Sequence, residues 1–215
     1  MLKDNSSSNT PREYEIIDVQ IPYAGFFRLA KYTFRMRLFN GSMSQPISRE
    51  VLERKSAVGI LPYDPVQDKV LLIEQFRIGA IQHFTSPWMW EIVAGVIDEK
   101  ENLLDVAKRE SLEEANCEIT EFLSIYDYLA TPGGCNEMLS LYIGCFDATN
   151  TIPGVFGLEE ENEDIRTNIM SLDAALNLLN QGKINTSPAI IALQWLQINR
   201  EQLKTLWQAK VKTPK

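Results

Sequence analysis

Three glutamates in the middle of the chain, Glu110, Glu113 and Glu114, form a group of side chains that could bind a metal ion. The surrounding segment, residues 102–115, lacks Gly and Pro and is rich in Leu, Ala, Glu, Lys and Arg, which predicts a helix with Asn102 as its N-cap. On a helix these carboxylates lie close together on one side. Such a group suits a hard cation, Mg²⁺ or Mn²⁺, although most acidic runs on helices are solvated surface.

The spacing of the residues before this group favours the metal site. Gly95, Glu101 and Arg109 precede the glutamates, so that the sequence follows the pattern G-x5-E-x7-RE-x2-EE. With a usage of ~7% at each of the fixed positions, a chance match is on the order of one in ten million per starting residue. The pattern resembles the signature of the Nudix hydrolases. The chain departs from it at Ser111, where an aliphatic residue or Ala is common, and at Asn116, where glycine is usual.

The other residues of the pattern are expected to be structural. Gly95 is expected to permit a sharp passage from a strand into a loop. Arg109 is expected to orient a carboxylate such as Glu101 through a bidentate pair. Asn116 tolerates the left-handed conformation of a helix C-cap, so this departure is compatible with the site.

A second acidic segment, residues 159–164, contains five carboxylates in six residues. Such a segment is usually a solvated loop, but a loop is also where a mobile catalytic carboxylate is expected. Hydrolysis of a diphosphate requires a carboxylate base that accepts a proton from the attacking water. Because the helix glutamates would be engaged with metal, this segment is the best source of that base.

Composition limits the classes of function. The chain has 215 residues, 45% hydrophobic residues and a formal charge of −8, which predicts one large globular domain or slightly more and argues against sequence-independent nucleic-acid binding. No apolar run has the length of a membrane span, and residues 1–12 are expected to be a disordered lead-in without a signal peptide. The three cysteines lack metal-site spacing, so reduced thiols and a cytoplasmic location are expected. The single histidine, His83, is expected in a surface loop.

The rest of the chain predicts two sheets and two further helices. Residues 13–50 predict a small antiparallel β-sheet with a turn at Tyr23-Ala24-Gly25 and too few core positions to be stable alone. Residues 51–209 are predicted to form the catalytic domain. The predicted strands cover residues 13–21, 26–39, 43–47, 56–63, 69–75, 90–94, 122–129, 139–146 and 165–170, and the additional helices cover 172–180 and the segment after Pro188.

The resemblance extends over nearly the whole chain and narrows to one branch of the superfamily. The segments SREVLER, LLIEQFR, PWMWEIVAGVID, TPGGCNE, GLEEENEDIR and IALQWLQ are similar, in order, to those of bacterial ADP-ribose pyrophosphatases, and Pro132 is a feature of that branch. The resemblance implies an α/β fold: an α/β/α sandwich with a mixed sheet plus a small N-terminal antiparallel sheet. It also implies a homodimer in which the N-terminal sheets are exchanged.

The resemblance also assigns roles to individual residues. A metal site would comprise the Ala94 carbonyl with Glu110, Glu114 and Glu163, and Glu161 would be the general base, with Glu113 also catalytic. Substrate contacts would come from Arg49, Glu50, Arg77 and Glu137. Cys135-Asn136 stands where small hydroxyl residues are common in relatives.

The expected activity is Mg²⁺-dependent hydrolysis of ADP-ribose to AMP and ribose 5-phosphate, with Mn²⁺ as a possible substitute. One alternative is a pyrophosphatase of another nucleoside diphosphate derivative such as GDP-mannose, which would use the same metal chemistry. The other is a non-catalytic Nudix-fold nucleotide sensor, since fold similarity alone does not establish function.

Overall fold

The computed structural model describes residues 13–98 and 101–211, and the predicted lead-in at residues 1–12 lies outside this part. The chain divides into two compact units. One runs to Arg54 and includes Thr131–Glu137, and the other comprises Lys55–Ala130 and the chain from Met138 onward. Within the described residues, no helix is both long enough and apolar enough to cross a membrane.

The first unit is a three-stranded antiparallel sheet in the order β1-β2-β3, with β1 at Tyr14–Ala24, β2 at Arg28–Met36 and β3 at Ile47–Glu53. The short extended piece predicted near residues 43–47 contains an isolated bridge between Met43 and Arg37, and the third strand, which was not predicted, begins at its last residue, Ile47. The charged residues of β3 conceal its pairing with β2 in the sequence pattern. The predicted first turn was also too early, because β1 continues through Ala24.

This sheet has almost no core of its own. Among the described residues of the unit, the buried apolar side chains are Ala30 and Cys135, and every residue of β1 is exposed. Residues 131–137 attach to β3 through hydrogen bonds from Leu52 N to Gly134 O (2.8 Å) and from Asn136 N to Leu52 O (3.3 Å). A sheet exposed in this way cannot be stabilised by its own apolar burial.

The second unit is built on an eight-stranded mixed sheet. Its strands are β4 (Ala57–Asp64), β5 (Lys69–Phe76), β6 (Trp88–Glu91), β7 (Val93–Val96), β8 (Glu121–Leu129), β9 (Met138–Cys145), β10 (Val155–Phe156) and β11 (Ile165–Ser171). The path β10-β11-β5-β4-β9-β8 is continuous, β6 also pairs with β5, and β7 also pairs with β4. Strands β4 and β9 are parallel, and the other pairs are antiparallel.

One predicted strand in this sheet is in fact two. The segment predicted as a single strand at 90–94 changes partner at the buried residue Ile92, so that β6 lies against β5 and β7 lies against β4. The sequence pattern does not show this break. Both strands are covered by other parts of the unit, so the segment is apolar almost throughout.

Helices cover both faces of the sheet, which confirms the predicted α/β/α sandwich. Helix α1 (Leu103–Ala115) packs on one face with Val58, Ile60 and Ile73, among others. Helices α2 (Leu172–Asn180) and α3 (Ser187–Val211) pack on the other face around Leu61, Leu72 and Leu141. The three cysteines are free, and His83 is exposed in a loop, as predicted.

Candidate metal and active site

Helix α1 carries the glutamates toward the sheet. It begins where Asn102 Oδ1 accepts a hydrogen bond from Leu104 N (2.9 Å) and ends where Asn116 adopts a left-handed φ of 44°, which confirms both predicted caps. In its last two turns the Glu114 residue is 4% exposed and the Glu110 side chain is 14% exposed. The two carboxylates are therefore packed against the unit instead of being solvated.

The carboxylates of Glu110 and Glu114 lie against strand β7. Glu114 Oε2 accepts a hydrogen bond from Ala94 N at 3.1 Å. A Cβ atom at Gly95 would lie 2.1 Å from Glu110 Oε1, so only glycine leaves room for the carboxylate. The role expected for Gly95 was wrong: it is not among the glycines with positive φ in the described chain, and close approach of the Glu110 side chain is what excludes a larger residue.

The electrostatics of the pair are unfavourable without a cation. The pKa of Glu114 is raised to about 8 and the pKa of Glu110 to about 7, chiefly by burial, and the charge of Glu163 is one of the smaller causes in both cases. Glu114 also lies in the last turn of α1, where the helix dipole disfavours negative charge. The site therefore favours positive charge.

Arg109 pairs with the expected Glu101 only at 3.9 Å and lies closer to two carboxylates of α1. Its Nη1 lies 2.9 Å from Glu113 Oε2 and 3.1 Å from Glu110 Oε1, whereas its Nη2 is 3.9 Å from Glu101 Oε1. The expected bidentate pair with Glu101 was wrong, because Glu101 Oε2 instead accepts a hydrogen bond from Asp98 N at 3.0 Å. Arg109 orients the helix carboxylates directly.

The second acidic segment forms a folded loop beside α1. Glu159–Glu161 is a single 3₁₀ turn, and Asn162 closes it with a left-handed φ of 55°. Glu161 is exposed on this turn, whereas Glu163 is half-buried and its Oε2 accepts a hydrogen bond from Leu158 N at 3.1 Å. The charge of Glu163 contributes to the raised pKa of both Glu110 and Glu114, so Glu163 is near enough to interact with these two carboxylates.

Arg77 brings a positive charge to this site. Its Nε and Nη2 donate to Glu91 Oε2 at 3.1 and 2.9 Å, and Gln75 Nε2 donates to the same oxygen at 3.0 Å. Burial lowers the pKa of Arg77, but Glu91, with smaller contributions from Glu114 and Glu163, raises it above the ordinary value. The guanidinium is half-exposed and remains available for an anion.

The remaining predicted substrate residues belong to the first unit. Arg49 and Glu50 are exposed neighbours on β3, and Arg49 Nη1 donates to the carbonyl of Ser48 at 2.8 Å. Glu137 is mostly buried and pairs with Arg54, with a closest distance of 3.0 Å between Oε1 and Nη2.

The donor set fits a hard divalent cation. The oxygens of Glu110, Glu114 and Glu163 are those that Mg²⁺ prefers, and a cation would offset the cost of burying two carboxylates. Among the described residues, no group of three or more His, Cys, Asp or Glu side chains is arranged so that it could hold a metal ion. Mg²⁺ is usually held by one or two carboxylates together with waters and substrate phosphates, so ligands from outside the protein would complete its coordination.

A groove of about 410 Å³ lies beside the loop but on the sheet face away from α1. Arg166 follows the α1-facing residue Ile165 and therefore points to the other side, where it pairs with Glu74. The groove is lined by Glu74, Ser86, Trp88, Val155, Asp164 and Arg166. Arg166 and Arg77 thus form similar ion pairs on opposite sides of the sheet.

Sequence reasoning missed two residues that organise the site. Glu91 fixes Arg77, but in the sequence it is one carboxylate in an apolar strand and carries no motif. Gly157 has a φ of 108° and donates from its N to Glu113 O at 3.2 Å. Its place before an acidic loop was visible, but its contact with α1 depends on tertiary structure.

Comparison with known proteins gives consistent matches. The family model described as NUDIX domain matches residues 53–207. The protein named ADP-ribose pyrophosphatase in Escherichia coli (strain K12) is 46% identical over 209 residues, covering 96% of this chain and 100% of that protein. The protein of the same name in Haemophilus influenzae is 40% identical over 203 residues, covering 92% of each chain.

More distant matches include other names. A GDP-mannose pyrophosphatase of Yersinia pestis is 28% identical over 186 residues, covering 86% of this chain and 92% of that protein. Among solved structures, one described as the crystal structure of ADP compounds hydrolase has a TM-score of 0.65 and 21% identity, covering 88% of this chain and 97% of that one. At that identity the likeness concerns the fold alone.

Proposed function

The chain belongs to the NUDIX family, and on that basis we propose that it is an ADP-ribose pyrophosphatase that produces AMP and ribose 5-phosphate. The observation that carries the proposal is the grouping of the buried Glu114 and the largely buried Glu110 side chain with Glu163, near a half-exposed arginine. Acidic side chains that favour a cation, next to a guanidinium that favours an anion, suit a metal-bound diphosphate. The substrate is proposed from the near full-length similarity to two proteins of that name.

The metal would be held by Glu110, Glu114, Glu163 and the Ala94 carbonyl. When bound, Mg²⁺ neutralises diphosphate charge and makes a water more acidic, and Mn²⁺ offers the same chemistry. The hydrogen bond from Ala94 N leaves the other oxygen of Glu114 available as a ligand. Glu163 is held in the same manner by Leu158 N.

The chain's own side chains would perform the proton transfer and orient the substrate. Glu161, exposed on its turn, would accept the proton of the attacking water as that water bonds to phosphorus. The P–O bond to the bridging oxygen then breaks, leaving one phosphate on each product. Arg77, held by Glu91, would bind a phosphate oxygen, and Glu113, held by Arg109, would orient the catalytic water or a metal ligand.

The nucleoside and ribose contacts are proposed to require a second copy of the chain. Arg49, Glu50 and Glu137 would bind the two ends of the substrate, with Arg49 and Glu50 acting in a partner subunit's site. The exposed β1 strand, with its aromatic and aliphatic side chains, supports a homodimer in which N-terminal sheets are exchanged. Three free cysteines support a cytoplasmic location.

Product analysis tests the proposal. The purified protein is incubated with ADP-ribose, GDP-mannose or NADH, each with and without Mg²⁺. AMP and ribose 5-phosphate formed from ADP-ribose only with Mg²⁺ is the expected result. If only GDP-mannose is hydrolysed, the proposed metal chemistry stands but the proposed substrate is wrong. The observation that favours this alternative is the similarity to the more distant GDP-mannose pyrophosphatase. Binding of ADP-ribose without turnover of any compound would favour the nucleotide-sensor alternative.

A further inference from the structure

The C-terminal end of α1 is capped by the acidic loop as well as by its own chain. The last carbonyls of a helix have no partner within the helix and must be satisfied from outside. Here Leu112 O accepts from Asn116 N (3.0 Å) and Ser111 O accepts from Cys117 N (2.9 Å). Glu113 O accepts from Gly157 N at 3.2 Å, although these two residues are far apart in sequence. The turn that carries Glu113 and Glu114 is therefore tied to the start of the loop.

Only glycine fits the loop at this point. Gly157 has a φ of 108°, which disfavours residues with a side chain. A Cβ atom there would lie 2.6 Å from Glu163 Cβ and 3.2 Å from the carbonyl carbon and oxygen of Glu163. The space that a side chain would fill is occupied by the residue proposed as a metal ligand.

The loop beyond Gly157 is braced by its own hydrogen bonds. Leu158 O accepts from Glu161 N (3.0 Å) and from Glu163 N (3.2 Å), and Leu158 N donates to Glu163 Oε2 (3.1 Å). A displacement at Gly157 would therefore move Glu161 and Glu163 together. Their position relative to the carboxylates of α1 depends on how Gly157 is held.

From these contacts we propose that Gly157 is a positioning residue, whose amide sets the distance between the loop carboxylates and the helix carboxylates. This inference rests on the proposed function, because it assigns the role of Gly157 through Glu161 and Glu163. This role requires no contact of Gly157 with substrate or metal. Its contribution is to hold the proposed base and ligand where a water and a cation can meet them.

The test compares two Gly→Ala variants. Gly182, at the end of α2, has a φ of 70° and open space where a Cβ would lie, so G182A carries the cost of a side chain at positive φ without contact to the loop. We expect both variants to lower Tm, and G157A more than G182A, because its Cβ atom would also overlap Glu163. We expect G157A alone to lower kcat by about 100-fold, since small misplacements of reacting groups have effects of that size. Its half-saturating Mg²⁺ concentration should rise, while KM for ADP-ribose should stay within about twofold, because Arg77 is held by other elements.

Two results would overturn the proposal. One is a kcat of G157A equal to that of G182A. The other is a G157A variant whose KM rises as much as its kcat falls, which would indicate general disruption of the site. If wild-type protein fails to hydrolyse ADP-ribose with Mg²⁺ in the same assay, the proposed function fails first, independently of either variant.

Hydrogen exchange of the wild-type protein gives a second measurement that needs no variant. The Gly157 amide should exchange as slowly as the capping amides of Asn116 and Cys117, because all three bond to carbonyls of α1. Exchange at the rate of an exposed loop amide would overturn the proposal even if G157A does not fold. Slow exchange that persists without Mg²⁺ would support it, since the contact involves only the protein.

Discussion

Glu114 and Ala94 are joined by a 3.1 Å hydrogen bond from the strand amide to the helix carboxylate. This bond fixes the most buried acidic side chain of α1 against the strand that supplies the proposed carbonyl ligand. The bond provides a hydrogen-bond donor for one oxygen of the Glu114 carboxylate. In the described part of the chain, however, this carboxylate forms no ion pair with a Lys, Arg or His side chain. The cost of that burial is what a divalent cation would offset.

Replacing Glu114 by Gln should abolish metal-dependent turnover without unfolding the protein. Glutamine has the same shape but is a weaker ligand for Mg²⁺, so we expect kcat for ADP-ribose to fall at least about 100-fold. The control is Glu118→Gln, which changes an exposed residue just beyond α1. Steady-state kinetics with a circular dichroism spectrum check this, and near wild-type kcat in Glu114→Gln would refute the site assignment.

The stability of the metal-free protein should fall as pH rises from 5 to 8. Burial raises the folded-state pKa of Glu110 to about 7 and of Glu114 to about 8, above the ordinary value of 4.5. Groups with raised pKa contribute stability that is fully present below about pH 4.5 and is lost as pH rises through the folded-state values. Melting temperatures measured in a chelator should decline over this interval, and Mg²⁺ should raise Tm more at pH 8 than at pH 5.

The Glu114→Gln variant provides the control for this pH dependence. Gln does not ionise, so the variant should show a shallower decline and should be more stable than the metal-free wild type at pH 8. Parallel curves for the two proteins would show that the decline arises from other groups.

Replacing Glu161 by Gln should separate catalysis from binding. If Glu161 is the base that accepts the proton of water, its loss should lower kcat by about 10²- to 10⁴-fold while the Kd for ADP-ribose changes little. The neighbouring exposed residue gives a matched control, Glu160→Gln. Calorimetric titration with ADP-ribose completes the test, and a large loss of affinity would instead assign Glu161 to substrate recognition.

Replacing Arg77 should lower the activity toward ADP-ribose, whereas replacing Arg166 should have little effect. Each forms an ion pair with a strand glutamate, Arg77 with Glu91 and Arg166 with Glu74, but only Arg77 lies at the carboxylate site. Loss of a charged hydrogen bond to phosphate should lower kcat/KM of Arg77→Ala by about 10- to 100-fold. Arg166→Ala should stay within about threefold of wild type, and equal losses in both variants would mean that the effect is structural.

Features that depend on neighbouring residues in the chain were predictable from the sequence, whereas features that depend on pairing with distant strands were not. The bounds and caps of α1 followed from Asn102, Asn116 and an uninterrupted run of helix formers, because capping involves neighbours in the chain. The division of residues 88–96 into two strands was missed, because the change of partner at Ile92 is decided by β4 and β5. Charged residues concealed β3 for a similar reason, since its pairing with β2 sets its conformation.

The candidate site shows the same distinction. A spacing pattern identified Glu110 and Glu114, but it gave the wrong reason for Gly95, whose role depends on where the Glu110 side chain lies. The bidentate pair of Arg109 with Glu101 was also wrong, because the two side chains are 3.9 Å apart at closest and Arg109 lies nearer to Glu110 and Glu113. These choices depend on distances between elements, which residue spacing does not encode.

The first unit should drive dimerisation through β1. Every residue of this strand is exposed, including Tyr14 at 70%, so association is the available route to burying its apolar side chains. Sedimentation of the full chain at micromolar concentration should give twice the mass of one chain. Val19→Lys should shift the protein toward monomer and lower specific activity, because the substrate contacts of Arg49 and Glu50 are proposed to come from the partner subunit. Gln20→Lys adds the same charge at a position that is already polar and should remain dimeric and active; an active Val19→Lys monomer would contradict the shared-site proposal.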